Sequence, residues 1–203
     1  MAPARFSRTI AFGSEVSSLG IHVIGYQNTV QNGGGFLDQV QRLVSPSRLF
    51  GTATPKAPGN AMLLHFPAAE PMTQANMVDT SSHPYFLKRM WQAIEPPAAG
   101  MGYGGQDLGA AQVEVFTRGV YDVVLARDAR DIPRALDAVR PDKRPPISEA
   151  IFEAYSQWFP GWPVALCCFN TRKARLADPL LWWYRPMHPD RLFLPALDCH
   201  TGD

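Results

Sequence analysis

Between residues 147 and 159 the apolar positions are Ile147, Ile151, Phe152, Tyr155, Trp158 and Phe159. On a helix these form one stripe covering about a third of the circumference. Ser148 is placed to cap such a helix through its hydroxyl. Ile147 and Phe152 stand at the two positions of a hydrophobic staple. Pro145 and Pro146 keep the helix from starting earlier, and Pro160-Gly161 ends it. The next run, Val-Ala-Leu-Cys-Cys-Phe at 164–169, is unbroken and apolar. That pattern predicts a strand covered on both faces. The helix and strand are together predicted to be core, with Trp158 and Phe159 as buried scaffolding.

The same reading extends along the chain. An edge strand is expected at 8–12 and a strand at 21–30, where Gly25 suggests a bulge. Helical spacing of Phe36, Leu37, Val40, Leu43 and Val44 predicts a short helix ending by Pro46. A proline- and glycine-rich loop follows, then a buried strand at 61–66 and an irregular stretch at 67–81. From Ser82 a helix is expected with Phe86, Leu87, Met90, Trp91 and Ile94 on one face. A glycine-rich loop at 96–110 leads to strands at 112–117 and 119–126. Asp128 or Asp131 is placed to cap a helix reaching Val139. A basic loop at 171–175 separates the central strand from a last one at 180–185. Strands alternating irregularly with three or four helices predict an α+β fold. It is expected to have a mixed or antiparallel sheet, helices on one side and long Pro/Gly-rich loops. No composition break marks a boundary, so 1–203 is expected to be a single globular domain, with flexible tails at 1–7 and 196–203.

Composition narrows the function classes. Lys+Arg 19 against Asp+Glu 18 gives a net charge of +1, too small to draw the whole surface to a polyanion. The N-terminal residues lack the apolar core of a secretory signal, and no apolar run approaches a membrane span. Three cysteines, two of them adjacent, do not suggest a disulfide framework. A cytoplasmic protein is therefore expected, with no cofactor and no membrane partner.

Candidate chemistry is sparse. Gly100, Gly102 and Gly105 fit G-x-G-x-x-G, but that motif needs a strand before it and a helix after it. Here prolines and alanines precede it and a strand follows. Val78-Asp79-Thr80-Ser81 resembles the Asp-Thr/Ser-Gly signature of aspartic proteases over three residues. It departs at Ser81, where that family has glycine, and the second carboxylate copy is missing. The stretch is read as turn and capping residues. Glu149 and Glu153, spaced i, i+4, are read as solvated.

Two groups carry the enzymatic alternative, a small cysteine- or metal-dependent hydrolase-like protein. Cys167, Cys168 or Cys199 is the candidate nucleophile, with His22, His65, His83, His188 or His200 as base. His188, Asp198, Cys199 and His200 are the candidate metal ligands, although paired C-x₂₋₄-C or H-x₃₋₅-H spacings are missing. A third alternative places Trp182, Trp183, Tyr184 and Arg185 against single-stranded nucleic acid. On a strand, however, those rings must divide between two faces. Five tryptophans, six tyrosines and eleven phenylalanines exceed what one core needs. The leading expectation is therefore a non-catalytic interaction or assembly protein. It would bind a protein partner or itself through aromatic surfaces such as Trp182, Trp183, Tyr184 and Arg185. Nucleic acid is not the expected partner.

Overall fold

A computed structural model describes residues 5–31, 59–93, 113–170 and 178–194. The helix expected at 36–44, the glycine-rich loop at 96–110, the basic loop at 171–175 and the tail from 195 lie outside the described residues. The fold class is α+β. The strands run β1 (Arg5–Val16), β2 (Ile21–Gln31), β3 (Asn60–His65), β4 (Val113–Arg118), β5 (Tyr121–Ala126), β6 (Val164–Phe169) and β7 (Leu180–Tyr184). Three α-helices occur among the described residues: α1 (Phe86–Ala93), α2 (Ile132–Ala135) and α3 (Glu149–Trp158). The strands form two antiparallel sheets, ordered β1-β2-β7 and β3-β6-β5-β4.

Alternation along β5 and β6 explains the layering. All six residues of each strand are buried. Tyr121, Val123 and Leu125 of β5, with Ala165, Cys167 and Phe169 of β6, share a core with Ile24, Leu180, Trp182 and Tyr184 of the other sheet. The alternate residues, Val124, Ala126, Val164, Leu166 and Cys168, face Ile132, Val139, Phe152 and Tyr155 on the helical side. The adjacent cysteines thus point into two different cores, as alternation requires. Helix α1 covers the outer face of the three-stranded sheet, with its Leu87 fully buried.

Local signals account for most boundaries. Ser148 accepts from the Ala150 N–H at 3.3 Å, and α3 ends at Phe159, whose N–H donates to the Tyr155 carbonyl. Gly161, at φ 76°, makes the reversal into β6 in a conformation that L side chains rarely adopt. Asp128 accepts from the Arg130 N–H, but the helix expected to reach Val139 breaks into a 3₁₀ turn, the four residues of α2 and a second 3₁₀ turn.

The strand expected at 8–12 is one segment of the much longer β1, which pairs with β2 from Arg5 to Val16. Gly25 does not mark a bulge: it pairs in register with Phe12 and Leu181. The register shift lies instead between Phe6 and Arg8. Gly25 stands where α1 comes closest to the sheet. A Cβ there would meet Leu87 Cδ2 at 2.9 Å and Leu181 Cδ1 at 3.0 Å.

One irregular segment fastens the sheets together. Residues 67–80 run along β7: Val78 N–H donates to the Leu181 carbonyl, Ala69 N–H to Arg185 and Met187 N–H to Pro67. From there Gln74 N–H reaches Glu114 Oε2 on β4 at 2.7 Å, and Arg118 of β4 pairs with Asp79. An ionic cluster ties the turn at Arg140–Lys143 to β5 of the four-stranded sheet. Asp122, nearly buried on β5, accepts from Arg140 Nε at 2.8 Å, Arg140 Nη2 at 2.6 Å and Lys143 Nζ at 3.0 Å. The Lys143 ammonium, equally buried, also donates to the Val120 carbonyl. Burial opposes ionisation of Asp122, but the Arg140 and Lys143 donors outweigh it and hold its carboxyl well below the usual carboxylate range. Replacing Asp122 by alanine leaves the Lys143 ammonium buried without a counter-charge. The expected loss is on the order of 3–5 kcal/mol, read as a lower urea midpoint at neutral pH. Because the folded-state pKa is depressed, this contribution is present above the ordinary carboxylate pKa and fades as the pH falls below it. The gap between wild type and Asp122→Ala should therefore narrow in acid.

Candidate functional site: an aromatic ledge over a buried histidine

The apolar stripe of α3 is not wholly buried. Phe152 and Tyr155 are in the core, whereas Trp158 is 62% exposed. This corrects the expectation that Trp158 is buried scaffolding. The physical reason is angular: three residues on from buried Tyr155, Trp158 lies about 60° round the helix axis, at the flank of the covered face. Phe159 and Trp162, on the turn that follows, are half-buried. Ring contacts run continuously through this region. Tyr155 lies 6.2 Å from Trp158 and 5.7 Å from Phe159, Phe159 lies 5.0 Å from Trp162, and Trp162 meets Phe193 edge-on at 5.1 Å. Leu192 and Leu194, on either side of Phe193, are 47% and 44% exposed. Monomer surfaces usually carry their large apolar groups singly, so a run of this kind is distinctive.

Beneath the ledge sits His65, the last residue of β3 and 1% exposed. Its ring stacks on Phe159 at 4.0 Å and lies 4.9 Å from Phe193, 5.3 Å from Tyr155 and 5.8 Å from Trp162. Its buried Nδ1 has no hydrogen-bond partner. Burial among carbon atoms lowers its pKa from 6.5 to about 4, so the ring is neutral at neutral pH. In sequence analysis His65 was only one of five histidines. The signal that singles it out is its place at the end of the apolar run Met62-Leu63-Leu64, immediately before Phe66.

The residues singled out in sequence are scattered. Cys167 and Cys168 are buried and free. Burial drives the Cys167 thiol far above its ordinary pKa and pushes that of Cys168 up to about 12, with the neighbouring Asp122 charge adding to the latter. Both are therefore neutral thiols at pH 7, the opposite of an activated nucleophile. Cys168 and His65 share a face of their sheet. Cys168 pairs with Ala61, four residues before His65, so the two lie about 13 Å apart along the strand.

His188 is exposed, and Asp198, Cys199 and His200 lie outside the described residues. Among the described residues, no group of three His, Cys, Asp or Glu side chains is placed to hold a metal ion. Asp79 is an exposed turn residue that accepts from the Ser81 N–H and pairs with Arg118.

The proposed interaction strand divides as its alternation demands. Trp182 and Tyr184 are fully buried between the sheets, out of reach of any base or partner. Half-buried Trp183 donates from Nε1 to the Ala75 carbonyl at 3.1 Å, and exposed Arg185 lies 3.7 Å from Glu70. Among the described residues no helix is long and apolar enough to cross a membrane.

No family model matches the chain, and no curated protein matches it. The crystal structure of baculovirus P35 is similar at a TM-score of 0.44 and 14% identity, over 91% of this chain and 56% of that one. The chain thus spans little more than half the length of that protein.

The geometry makes a sharp forecast for the cysteines. In the native protein at pH 7, a thiol reagent such as iodoacetamide should leave Cys167 and Cys168 unmodified over hours, with both reacting in denaturant. Peptide mass mapping reads the result directly. Modification of either in the native state at the rate of a free thiol would show that the strand opens or that the thiol is activated.

Proposed function

We propose that this chain is a non-catalytic interaction protein and that the ledge of Trp158, Phe159, Trp162, Phe193, Leu192 and Leu194 is its docking surface. The observation that carries this reading is the exposure of Trp158 at one end of a continuous series of ring contacts. A tryptophan held at a helix end is a low-entropy anchor, and aromatic anchors dominate binding energy at protein interfaces. The surface serves either a second copy of the chain or another protein.

The reading moves the interaction site. The interacting aromatics in this reading come from the end of α3 and from 191–194, whereas Trp182 and Tyr184 are core. The nucleic-acid alternative set Trp182, Trp183, Tyr184 and Arg185 against single strands, and the burial of Trp182 and Tyr184 leaves it one ring, Trp183. The cysteine alternative required a thiolate, and burial opposes one at Cys167 and Cys168.

Self-association is the direct test. Sedimentation velocity from micromolar to millimolar protein should show a concentration-dependent rise in mean mass. Trp158→Ala should weaken that association by about ten-fold or more, corresponding to the loss of at least 1.4 kcal/mol at a central anchor. Its urea midpoint should move little, because the side chain is mostly exposed. A strictly monomeric wild type that also retains no protein partner through Trp158 would remove the proposal.

A further inference from the structure

Residues 191–194 link the two sheets without belonging to either. Their side chains alternate. Phe193 turns to His65 and Trp162, while Leu192 and Leu194 lie over Gly13 on the inner face of β1. Gly13 makes room for them: a Cβ there would stand 2.7 Å from Leu194 Cδ2 and 3.3 Å from Leu192 Cδ2. Arg191 N–H donates to the His188 carbonyl at 3.1 Å, which closes the turn before the segment. Among the described residues, no backbone hydrogen bond ties residues 192–194 to a strand. Among the described residues, side-chain packing holds Leu192, Phe193 and Leu194, and the central contact is with the His65 ring.

We propose that residues 191–194 form an acid-released strap: protonation of His65 expels Phe193, lifts Leu192 and Leu194 from Gly13, and breaks up the aromatic ledge of which they are part. The proposal takes the ledge as the docking surface and supplies its regulation. Its basis is geometric. A charged imidazole carries a proton on both ring nitrogens, and the buried Nδ1 has no acceptor. Among the described residues, the elements packed on the ring offer no counter-charge. Across the β3–β6 ladder stands Val164, α3 contributes the Tyr155 phenol and Phe159, the following turn contributes Trp162, and the strap contributes Phe193. The nearest charges in sequence, Asp190 and Arg191, are exposed and paired with each other.

Cation–π attraction to the stacked Phe159 is smaller than the cost of charging a ring sealed from water. The ring leaves for water by the weakest wall, the strap. The sign follows from linkage. A histidine whose folded-state pKa is depressed contributes stability that is full above about 6.5 and is lost as the pH falls toward about 4. Across that window the ratio of released to closed strap rises by up to about 300-fold.

The test is a titration of the intact protein from pH 7.5 to pH 4. It is followed by histidine side-chain NMR, by binding of an apolar fluorescent dye and by far-ultraviolet circular dichroism. Wild type should keep a neutral His65 ring well below pH 6.5, then gain dye fluorescence in a transition above pH 4 with its sheet signal unchanged. His65→Phe, which fills the same space without a proton site, should show no such transition. Gly13→Ala, which presses on Leu192 and Leu194 without touching His65, should move the midpoint to higher pH.

An ordinary His65 titration near pH 6.5 with no gain in dye fluorescence would overturn the proposal. So would the same transition in His65→Phe, or loss of the sheet signal together with the dye response. Trp158→Ala separates this from the docking reading. If that variant still self-associates at neutral pH while the His65 transition behaves as stated, the strap stands and the docking surface lies elsewhere.

Discussion

Strands β5 and β6 cannot exist in this chain without cover on both faces. Their twelve residues are all buried, and they alternate between two separate cores. Everything else is arranged around that requirement. The three-stranded sheet covers one face, and α3 with the 129–138 segment covers the other. Burying side chains of this size contributes about 1.5–3 kcal/mol each before entropy is subtracted. Exposing either face of the pair would therefore exceed the net stability of an ordinary domain. Asp122 is the polar exception on β5. It is tolerated because Arg140 and Lys143 supply the charge that its burial removes from water.

What could be read from sequence follows from which signals are local. The cap at Ser148, the stop at Pro160-Gly161 and the apolar run of β6 are each set by neighbours within a turn or two, and all three hold in the structure. The division of Trp182, Trp183 and Tyr184 between faces was also legible, because it depends only on the two-residue period of a strand. Which face turns inward was not, since that depends on where the other sheet lies. Gly25 shows the same limit. A glycine inside a strand signals either a bulge or a close approach, and only the position of Leu87 decides between them. The length of β1 was missed because its outer residues are polar, and an edge strand paired on one side needs no apolar face to persist.

Trp158 was misread for a related reason. Helical periodicity marks a stripe about a third of the circumference wide but does not say which edge of it the rest of the fold covers. Phe152 and Tyr155 share its stripe and are buried. Trp158 lies on the flank of that stripe, beside the rings that extend from Tyr155 and Phe159 to Phe193. The ledge thus depends on tertiary packing, which periodicity does not carry.

His65 joins the core to the ledge. Its backbone belongs to the β3–β6 ladder, and its ring belongs to the aromatic series above. An isosteric apolar ring in that place would satisfy every packing contact at lower desolvation cost, because the buried Nδ1 gains nothing from a partner. A buried polar atom left without a partner costs about 1–3 kcal/mol, and packing alone gives no return for it. The imidazole differs from such a ring in one respect relevant to this site: it can acquire a charge, here only in acid well below its ordinary pKa of 6.5. The element leaning on it is also one that, among the described residues, meets the sheets through the side chains of Leu192, Phe193 and Leu194. A purely stabilising role would place the ring under an element tied into a sheet. Its position under one that is not is what a conditional contact requires.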